Sequence, residues 1–425
     1  MSIRVGFAGM THLGVNSAVA TAERGFEVLG YDQNADVIAQ LQKGQLPVVE
    51  PELADLAAKN AARMAYTSTL ADLKSCDVVY ISADVPTNDL AQSDLASIRK
   101  LIGDVTANLR TDAILVVLCQ VPPGFTRAIR SVAPERLIYQ VETLIFGRAV
   151  ERAMYPERFV IGCVDPYKPL PRALATVLGA FGCPILLMRY ESAELAKISI
   201  NFCLVASVSV ANTLAEVSEA IGADWSEIIP ALKLDKRIGQ FSYLAPGLGI
   251  SGGNLERDLR TILDIAEVKK TDVGVVHAWL RNSKYRKDWP WRVLDKEVLS
   301  ANPKARVAVL GLAYKENTHS TKNSPSLLLL SHLTKSDVCV HDPVVPASIV
   351  PFAKSAADPL SCAKDADVLV IATPWAQYRD LKIDGLTRAM KGRVIIDPYR
   401  LLDGAKAAAA GFAYHTLGMP TLKGA

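Results

Sequence analysis

Arg4-Val-Gly-Phe-Ala8-Gly9-Met10-Thr11-His12-Leu13-Gly14, running on to Phe26-Glu-Val-Leu-Gly-Tyr31-Asp32, decides how the chain begins to fold. A short apolar run of strand length meets Gly9, a small-residue helical pattern follows from Gly14 to Arg24, and a second apolar run closes on an acid. Strand, glycine turn, helix, and strand ending in a carboxylate is the spacing of a dinucleotide-binding unit. The first glycine permits the tight turn and the third lets helix and strand pack closely. Asp32 lies 18 residues after Gly14, where a carboxylate accepts hydrogen bonds from an adenosine ribose. Thr11 stands at the second glycine of the fingerprint; its Cβ crowds the approach of a pyrophosphate, although its hydroxyl is a donor. Read alone, the pattern fits a plain strand-helix-strand turn as well as a dinucleotide site. The acid favours the site, and favours NAD over NADP because a 2′-phosphate would meet a carboxylate.

Working outward, Val78 to Ser82 and Ala113 to Cys119 are further apolar runs separated by helix-like or turn-rich segments, the pattern of a parallel sheet covered on both faces. From Ser192 to Ile221 roughly 30 residues pass without Pro or Gly before Gly222 supplies a stop. This predicts a helix about 45 Å long, apolar around much of its circumference and therefore buried on several sides, by its own domain and by a second subunit. Near Arg306 the strand-and-glycine pattern returns, with further strands at Val338 to Val340, Val368 to Ala372 and Val394 to Asp397. Ligands of such sheets bind beyond the strand carboxyl ends, where Asp342-Pro343 and Asp397-Pro398 fall. The tail from Gly418 to Ala425 is expected to be loose.

With 425 residues the chain is too long for one hydrophobic core. A net charge of +3 gives no electrostatic reason to expect nucleic acid or an anionic membrane as partner, while a small anionic ligand needs only a local pocket. The start lacks the features of a signal peptide, and no stretch approaches an uninterrupted apolar span. Seven scattered cysteines, mostly in strand-like runs, read as free thiols of a reducing compartment, and the six histidines form no metal-spaced set. The expectation is a cytoplasmic protein without structural metal.

Several blocks together resemble the UDP-glucose/GDP-mannose dehydrogenase family. They are Val5 to Asp32, Gly44 to Pro51, Val85-Pro86-Thr87, Val121 to Gly124, Glu142 to Ala149, Glu194-Leu-Ala-Lys197 with Asn201, Arg237-Ile-Gly239, Gly252 to Asp258, Gly311 to Lys315, Ser324-Pro325, Thr373-Pro-Trp375 and Asp397. They occur in the family's order and cover nearly the whole chain. The resemblance implies an α/β protein with an N-terminal Rossmann-type NAD domain (1–187), a central all-helical dimerisation domain with a long helix (188–295), and a C-terminal Rossmann-like nucleotide-sugar-binding domain (296–425). It implies NAD as cofactor, a nucleotide-diphosphate sugar as substrate, a homodimer or higher oligomer, and a place in polysaccharide biosynthesis.

Family members oxidise a sugar CH2OH to a carboxylate in two NAD-dependent steps through a cysteine thiohemiacetal and thioester. By resemblance, Lys197 matches the lysine that stabilises the oxyanion, Asn201 the water- or substrate-binding asparagine, Asp258 the aspartate, and Glu142 the glutamate of thioester hydrolysis. The other reading of Lys197 is a surface charge paired with Glu194. Gly9, Thr11, His12, Leu13, Gly14, Asp32, Val85, Pro86, Thr87, Gln120 and Lys322 match cofactor-binding positions. Thr143, Leu144, Arg237, Gly252, Lys315 and Arg400 match substrate-binding positions, with Arg237 reaching from a partner subunit. The nucleophile is missing: Asn254 stands four residues before Asp258, where the family has its cysteine, and no cysteine lies within thirty residues. Arg257 replaces a lysine, Gln120 a threonine, Phe146 a second glutamate, Thr143 an aromatic, Lys322 an arginine and Asn323 a glutamate. His319 and Ser320 stand for an acidic pair, and Pro398-Tyr399-Arg400 for a glycine-arginine turn. An amide cannot form a thioester. The expected reaction is therefore a two-electron oxidation of a CH-OH group. The alternatives are an epimerase with transient oxidation, a four-electron 6-dehydrogenase with a modified mechanism, and an inactive binding or regulatory protein.

Overall fold

The runs Val78–Ile81 and Ile114–Val117 are buried at every position, because helices or loops cover both faces of their sheet. This is why they read as unbroken apolar segments and not as alternating ones. The computed structural model describes residues 3–88 and 92–424 and divides into two compact units, Met1–Ile200 and Asn201–Ala425.

The first unit is built on eight strands: β1 (Arg4–Ala8), β2 (Glu27–Tyr31), β3 (Met64–Thr67), β4 (Val78–Ile81), β5 (Ile114–Val117), β6 (Leu137–Gln140), β7 (Phe159–Cys163) and β8 (Ile185–Arg189). Their order is β3-β2-β1-β4-β5-β6-β7-β8, parallel throughout except between β6 and β7. Ala8 is level with both Tyr31 and Ile81, so the carboxyl ends of β1, β2 and β4 lie flush. That register sets Gly9, Asp32 and Ser82 side by side.

The second unit carries the helices Trp225–Leu234, Asn254–Lys269 and Gly274–Lys287, then a six-stranded parallel sheet. Its strands are β9 (Arg306–Leu310), β10 (Asp337–His341), β11 (Lys354–Ser355), β12 (Val368–Ile371), β13 (Val394–Ile396) and β14 (Ala413–His415), in the order β11-β10-β9-β12-β13-β14. The architecture is the expected one of a Rossmann-type domain, a helical centre and a second Rossmann-like sheet.

The long helix spans Tyr190–Ile221, 32 residues, and so starts two residues before the Ser192 expected from sequence. Gly222, at φ +84°, ends it. By length and composition it is the one helix among the described residues apolar enough to cross a membrane. Its first turns are nevertheless part of the first unit, where Tyr190, Ala193 and Glu194 are buried. Further along, Val210, Leu214, Val217 and Ile221 are exposed at spacings of four, three and four, which places them on one stripe.

From Gly418 to Gly424 the tail is not loose, and Ala425 lies outside the described residues. Tyr414 and Leu422 exchange backbone hydrogen bonds of 2.8 and 3.0 Å, Gly418 N–H donates to Glu219 at 2.8 Å, and the Gly418 carbonyl accepts from Trp225 N–H at 2.7 Å. Glu219 and Trp225 are remote in sequence from Gly418, so the local composition gives no sign of them. Of the seven free cysteines, Cys76, Cys119, Cys163, Cys339 and Cys362 are buried, Cys183 is half-buried, and Cys203 on the long helix is exposed.

Candidate active site

In the first unit the carboxyl edge of the sheet gathers the residues expected to hold a dinucleotide. Gly9 has φ +103°, and a Cβ there would meet the Ala83 backbone N at 2.6 Å. A Cβ on Gly14 would run into the Gly9 carbonyl, so both glycines are needed for the helix His12–Glu23 to start this close to β1. Asp32 reaches over the turn: its Oδ2 accepts the Met10 N–H at 2.8 Å and its Oδ1 the Asn34 N–H at 2.9 Å. A tight turn, a close helix start and a carboxylate at the end of β2 fit a dinucleotide.

Thr11 stands at the N-cap position but turns its side chain away from the helix: its hydroxyl accepts from the Asp84 N–H at 2.9 Å while donating to the Ser82 carbonyl at 3.3 Å. Leu13 points into the hydrophobic core, leaving its backbone for the turn. His12 Nε2 lies 2.8 Å from the buried Glu50 carboxylate, and the ring packs on Phe146 with centroids 4.1 Å apart. Glu50 also accepts the N–H groups of Gly147 and Ala149 at 2.9 and 3.1 Å. Burial opposes its charge, but these donors win and hold the carboxyl below its usual range. Val85, Pro86 and Thr87 follow β4, where Pro86 accepts from Asp94 N–H at 2.8 Å and Thr87 bridges to Ser93. Gln120 follows β5 and is half-buried.

Glu142 follows β6, and its Oε2 lies 3.5 Å from Lys197 Nζ on the long helix. The carboxylate also accepts the Leu144 N–H, with Thr143 half-buried between them. The pairing of Lys197 with Glu194 does not form. Glu194 is fully buried and accepts the N–H groups of Gly124 and Thr126 at 2.6 and 2.8 Å, fixing the Val121-Pro-Pro-Gly124 turn. Lys197 is therefore turned to a carboxylate that the resemblance also places in the site.

In the second unit, Asn201 donates its amide to Asp258 Oδ2 at 2.5 Å, and Arg257 Nε lies 3.6 Å from Asp258 Oδ1. Asp258 sits one turn into the helix that Asn254 opens, so an exposed amide and a buried carboxylate share a face. Gly252, at φ +76°, packs against the Tyr314 ring, and its N–H donates to the Lys322 carbonyl at 3.1 Å. Asn323 reinforces this join by donating to the Gly252 carbonyl at 2.9 Å and to Glu256, which Lys287 holds at 3.0 Å. The Lys322 side chain passes beside Gly253, so Asn201, Gly252, Asn254, Asp258 and Lys322 form one neighbourhood.

The other basic candidates are placed elsewhere. Lys315 lies over the Tyr314 ring at 5.8 Å. Arg237 is exposed and paired with Asp235 at 2.6 Å. Arg400, at φ +52°, gives its guanidinium fork to Asp224 at 2.7 and 3.1 Å and to Ser226 at 2.8 Å. As a phosphate ligand it would have to exchange that pairing. Sequence reasoning passed over Glu50, Asp84 and Asn323 as site residues. An acid three residues beyond the end of β4, in the turn beside Gly9, was the available signal for Asp84.

Models of the UDP-glucose/GDP-mannose dehydrogenase family match the chain in order: the NAD binding domain over residues 3–177, the central domain over 191–284 and the UDP binding domain over 308–404. Among curated relatives, UDP-glucose 6-dehydrogenase TuaD of Bacillus subtilis (strain 168) is 26% identical over 440 residues, 99% of this chain and 94% of that protein. The UDP-glucose 6-dehydrogenase of Rhizobium meliloti (strain 1021) is 28% identical, covering 98% of this chain and all of that protein. Among solved structures, a UDP-glucose dehydrogenase from the hyperthermophilic archaeon Pyrobaculum islandicum aligns with a TM-score of 0.85 at 26% identity, over 98% of this chain and 97% of that one.

Proposed function

The chain belongs to the UDP-glucose/GDP-mannose dehydrogenase family and is an NAD-dependent oxidoreductase of nucleotide sugars; within that family we propose that it oxidises a CH-OH group of a nucleotide-diphosphate sugar by two electrons only. One observation carries this reading. Asn254, four residues before Asp258, presents a carboxamide where a thioester route needs a thiol.

Turning a CH-OH carbon into a carbonyl releases a proton and a hydride and needs no covalent intermediate. Bound NAD supplies the hydride acceptor. We assign the remaining work to this chain's side chains. Lys197 stabilises the alkoxide, the charge that develops before hydride leaves. Asn201 holds Asp258 Oδ2 in place so that this carboxylate takes the proton. Asn254, one turn before Asp258 on the same helix, is assigned as a further hydrogen-bond donor to the substrate. Glu142, with no acyl group to hydrolyse, keeps Lys197 oriented through their 3.5 Å pair.

Lys315 and Lys322 are assigned to the phosphates of the sugar nucleotide. Arg400, committed to Asp224, is the weaker assignment, and Arg237 is assigned to a partner's site. The exposed stripe Val210, Leu214, Val217 and Ile221 supports a homodimer through the long helix. The test is an absorbance trace at saturating NAD with limiting sugar, coupled to mass spectrometry of the product. One NADH per sugar and an aldehyde or ketone product is the expected outcome. Two NADH per sugar, with the mass gain of CH2OH becoming COOH, would overturn it. Label exchange without net NADH would mean epimerisation, and binding without turnover a regulatory protein.

A further inference from the structure

Asp84 follows β4 at the edge that carries the glycine turn, and its carboxylate is placed where it competes with a ligand. Oδ2 accepts the backbone N–H of His12 at 3.1 Å, the first residue of the helix His12–Glu23. The residue's own N–H donates to Thr11 Oγ1 at 2.9 Å, and the Thr11 hydroxyl donates onward to the Ser82 carbonyl at 3.3 Å. Ser82 in turn donates its hydroxyl to the Ala8 and Gly9 carbonyls at 3.2 and 3.0 Å. The threonine that replaces the second fingerprint glycine and the turn after β4 thus lock each other. Together they deliver a carboxylate to the helix start.

The N-terminus of this helix is where the pyrophosphate of a dinucleotide settles, drawn by free N–H groups and the positive end of the helix dipole. Two anions cannot share it without repulsion. We propose that Asp84 sets the affinity for NAD: its carboxylate occupies the pyrophosphate's place at the helix N-terminus, and binding requires it to release the His12 N–H or to take up a proton.

The surroundings favour proton uptake. Solvent reaches Asp84, yet the chain around it desolvates the carboxyl and pushes it above the usual carboxylate range. The Glu142 charge acts in the same direction, while the Thr11 hydroxyl and His12 oppose it. His12 is itself held by Glu50, Glu142 by Lys197, and the buried Cys119 thiol feels the Asp84 charge. A carboxyl with a raised value is neutralised first as pH falls. The repulsion is then relieved, and NADH affinity rises toward lower pH.

The experiment measures NADH binding by fluorescence in the absence of sugar, from about pH 8 down to about pH 5, into the range just above an ordinary carboxyl. Asp84→Asn should tighten NADH about tenfold at the alkaline end, equivalent to about 1.4 kcal/mol. The wild-type rise in affinity on acidification should flatten in this variant. Adenosine, which carries no phosphate, should bind both proteins within about twofold of each other, a shift of about 0.4 kcal/mol or less. Asp84→Gly should behave like Asp84→Asn, and thermal melting identifies any variant that fails to fold. A folded variant that binds NADH no better than wild type would overturn the proposal. So would an unchanged pH slope in the variant, or a wild-type affinity that does not change with pH.

Discussion

The two parallel sheets begin alike and end differently. Gly9 and Gly311 both leave the first strand of their sheet with φ near +100° (+103° and +101°). Each donates its N–H to the residue before an acid: Gly9 to Tyr31 at 2.8 Å, and Gly311 to His341 at 2.7 Å. In each the next residue donates to that acid, Met10 to Asp32 at 2.8 Å and Leu312 to Asp342 at 2.6 Å. There the likeness stops. A helix starts at His12 in the first sheet, while the second runs through a long loop before its helix at Pro325. Asp342 also accepts from Ala313, Val344 and Val345 N–H and from Trp375 Nε1, between 2.8 and 3.1 Å. The same strand-glycine-strand-acid geometry therefore serves two ends. Asp32 accepts two backbone N–H groups and keeps acceptor capacity, whereas Asp342 is spent on its own loops.

The sharpest way to break this contrast is to remove both acids. Asp342→Ala orphans five donors and should cost about 3 kcal/mol or more. All five tryptophans lie in the second unit, so urea unfolding followed by tryptophan fluorescence reads that loss directly. A midpoint equal to wild type would show that the second acid is no more structural than the first. Asp32→Ala should leave stability within about 1 kcal/mol while weakening NADH binding about tenfold. Unchanged NADH affinity in that variant would remove the functional half of the comparison.

The smallest expected effect is on pH. His341 and His415 lie buried on β10 and β14, and burial pushes both imidazoles below their ordinary value. Unfolded, they protonate near about pH 6.5, so below that pH the unfolded chain holds more protons than the folded one. Stability of the second unit should fall as pH drops from about 6.5 toward the lowered folded values. The first unit has only His12, already beside Glu50. Tryptophan-detected urea midpoints measured over that range, in the wild type and in His341→Gln with His415→Gln, test this. An equal acid sensitivity in the double variant would assign the loss to other groups.

The strands around Gly9 and Gly311, the acids that follow and the long helix were legible because hydrophobic periodicity and glycine placement are local signals. The rest depended on partners far along the chain. Glu194 looks like a helix-surface acid until Gly124 and Thr126 bring their N–H groups to it. Arg400 looks like a phosphate ligand until Asp224 takes its fork, and the tail looks free until Glu219 and Trp225 hold Gly418. Resemblance singles out Lys197, Asn201 and Asp258 as candidates, but not the partner that each takes. Sequence spacing names candidates for an ion pair; packing chooses among them.

The placement of the thiols bears on how the protein should withstand oxidants. Cys76, Cys119, Cys163, Cys339 and Cys362 are packed inside the two units, and Cys203, the exposed one, lies two positions beyond Asn201, about 200° around the long helix. Peroxide attacks thiolates that are accessible and acidic, carrying them through sulfenic to irreversible acids. In the two-electron reaction proposed above no thiol takes part, so the chemistry offers no such target. Turnover should then persist through bursts of peroxide or alkylating agent that would silence a thioester-forming enzyme, letting sugar oxidation continue when the cell's sulfur chemistry is under attack.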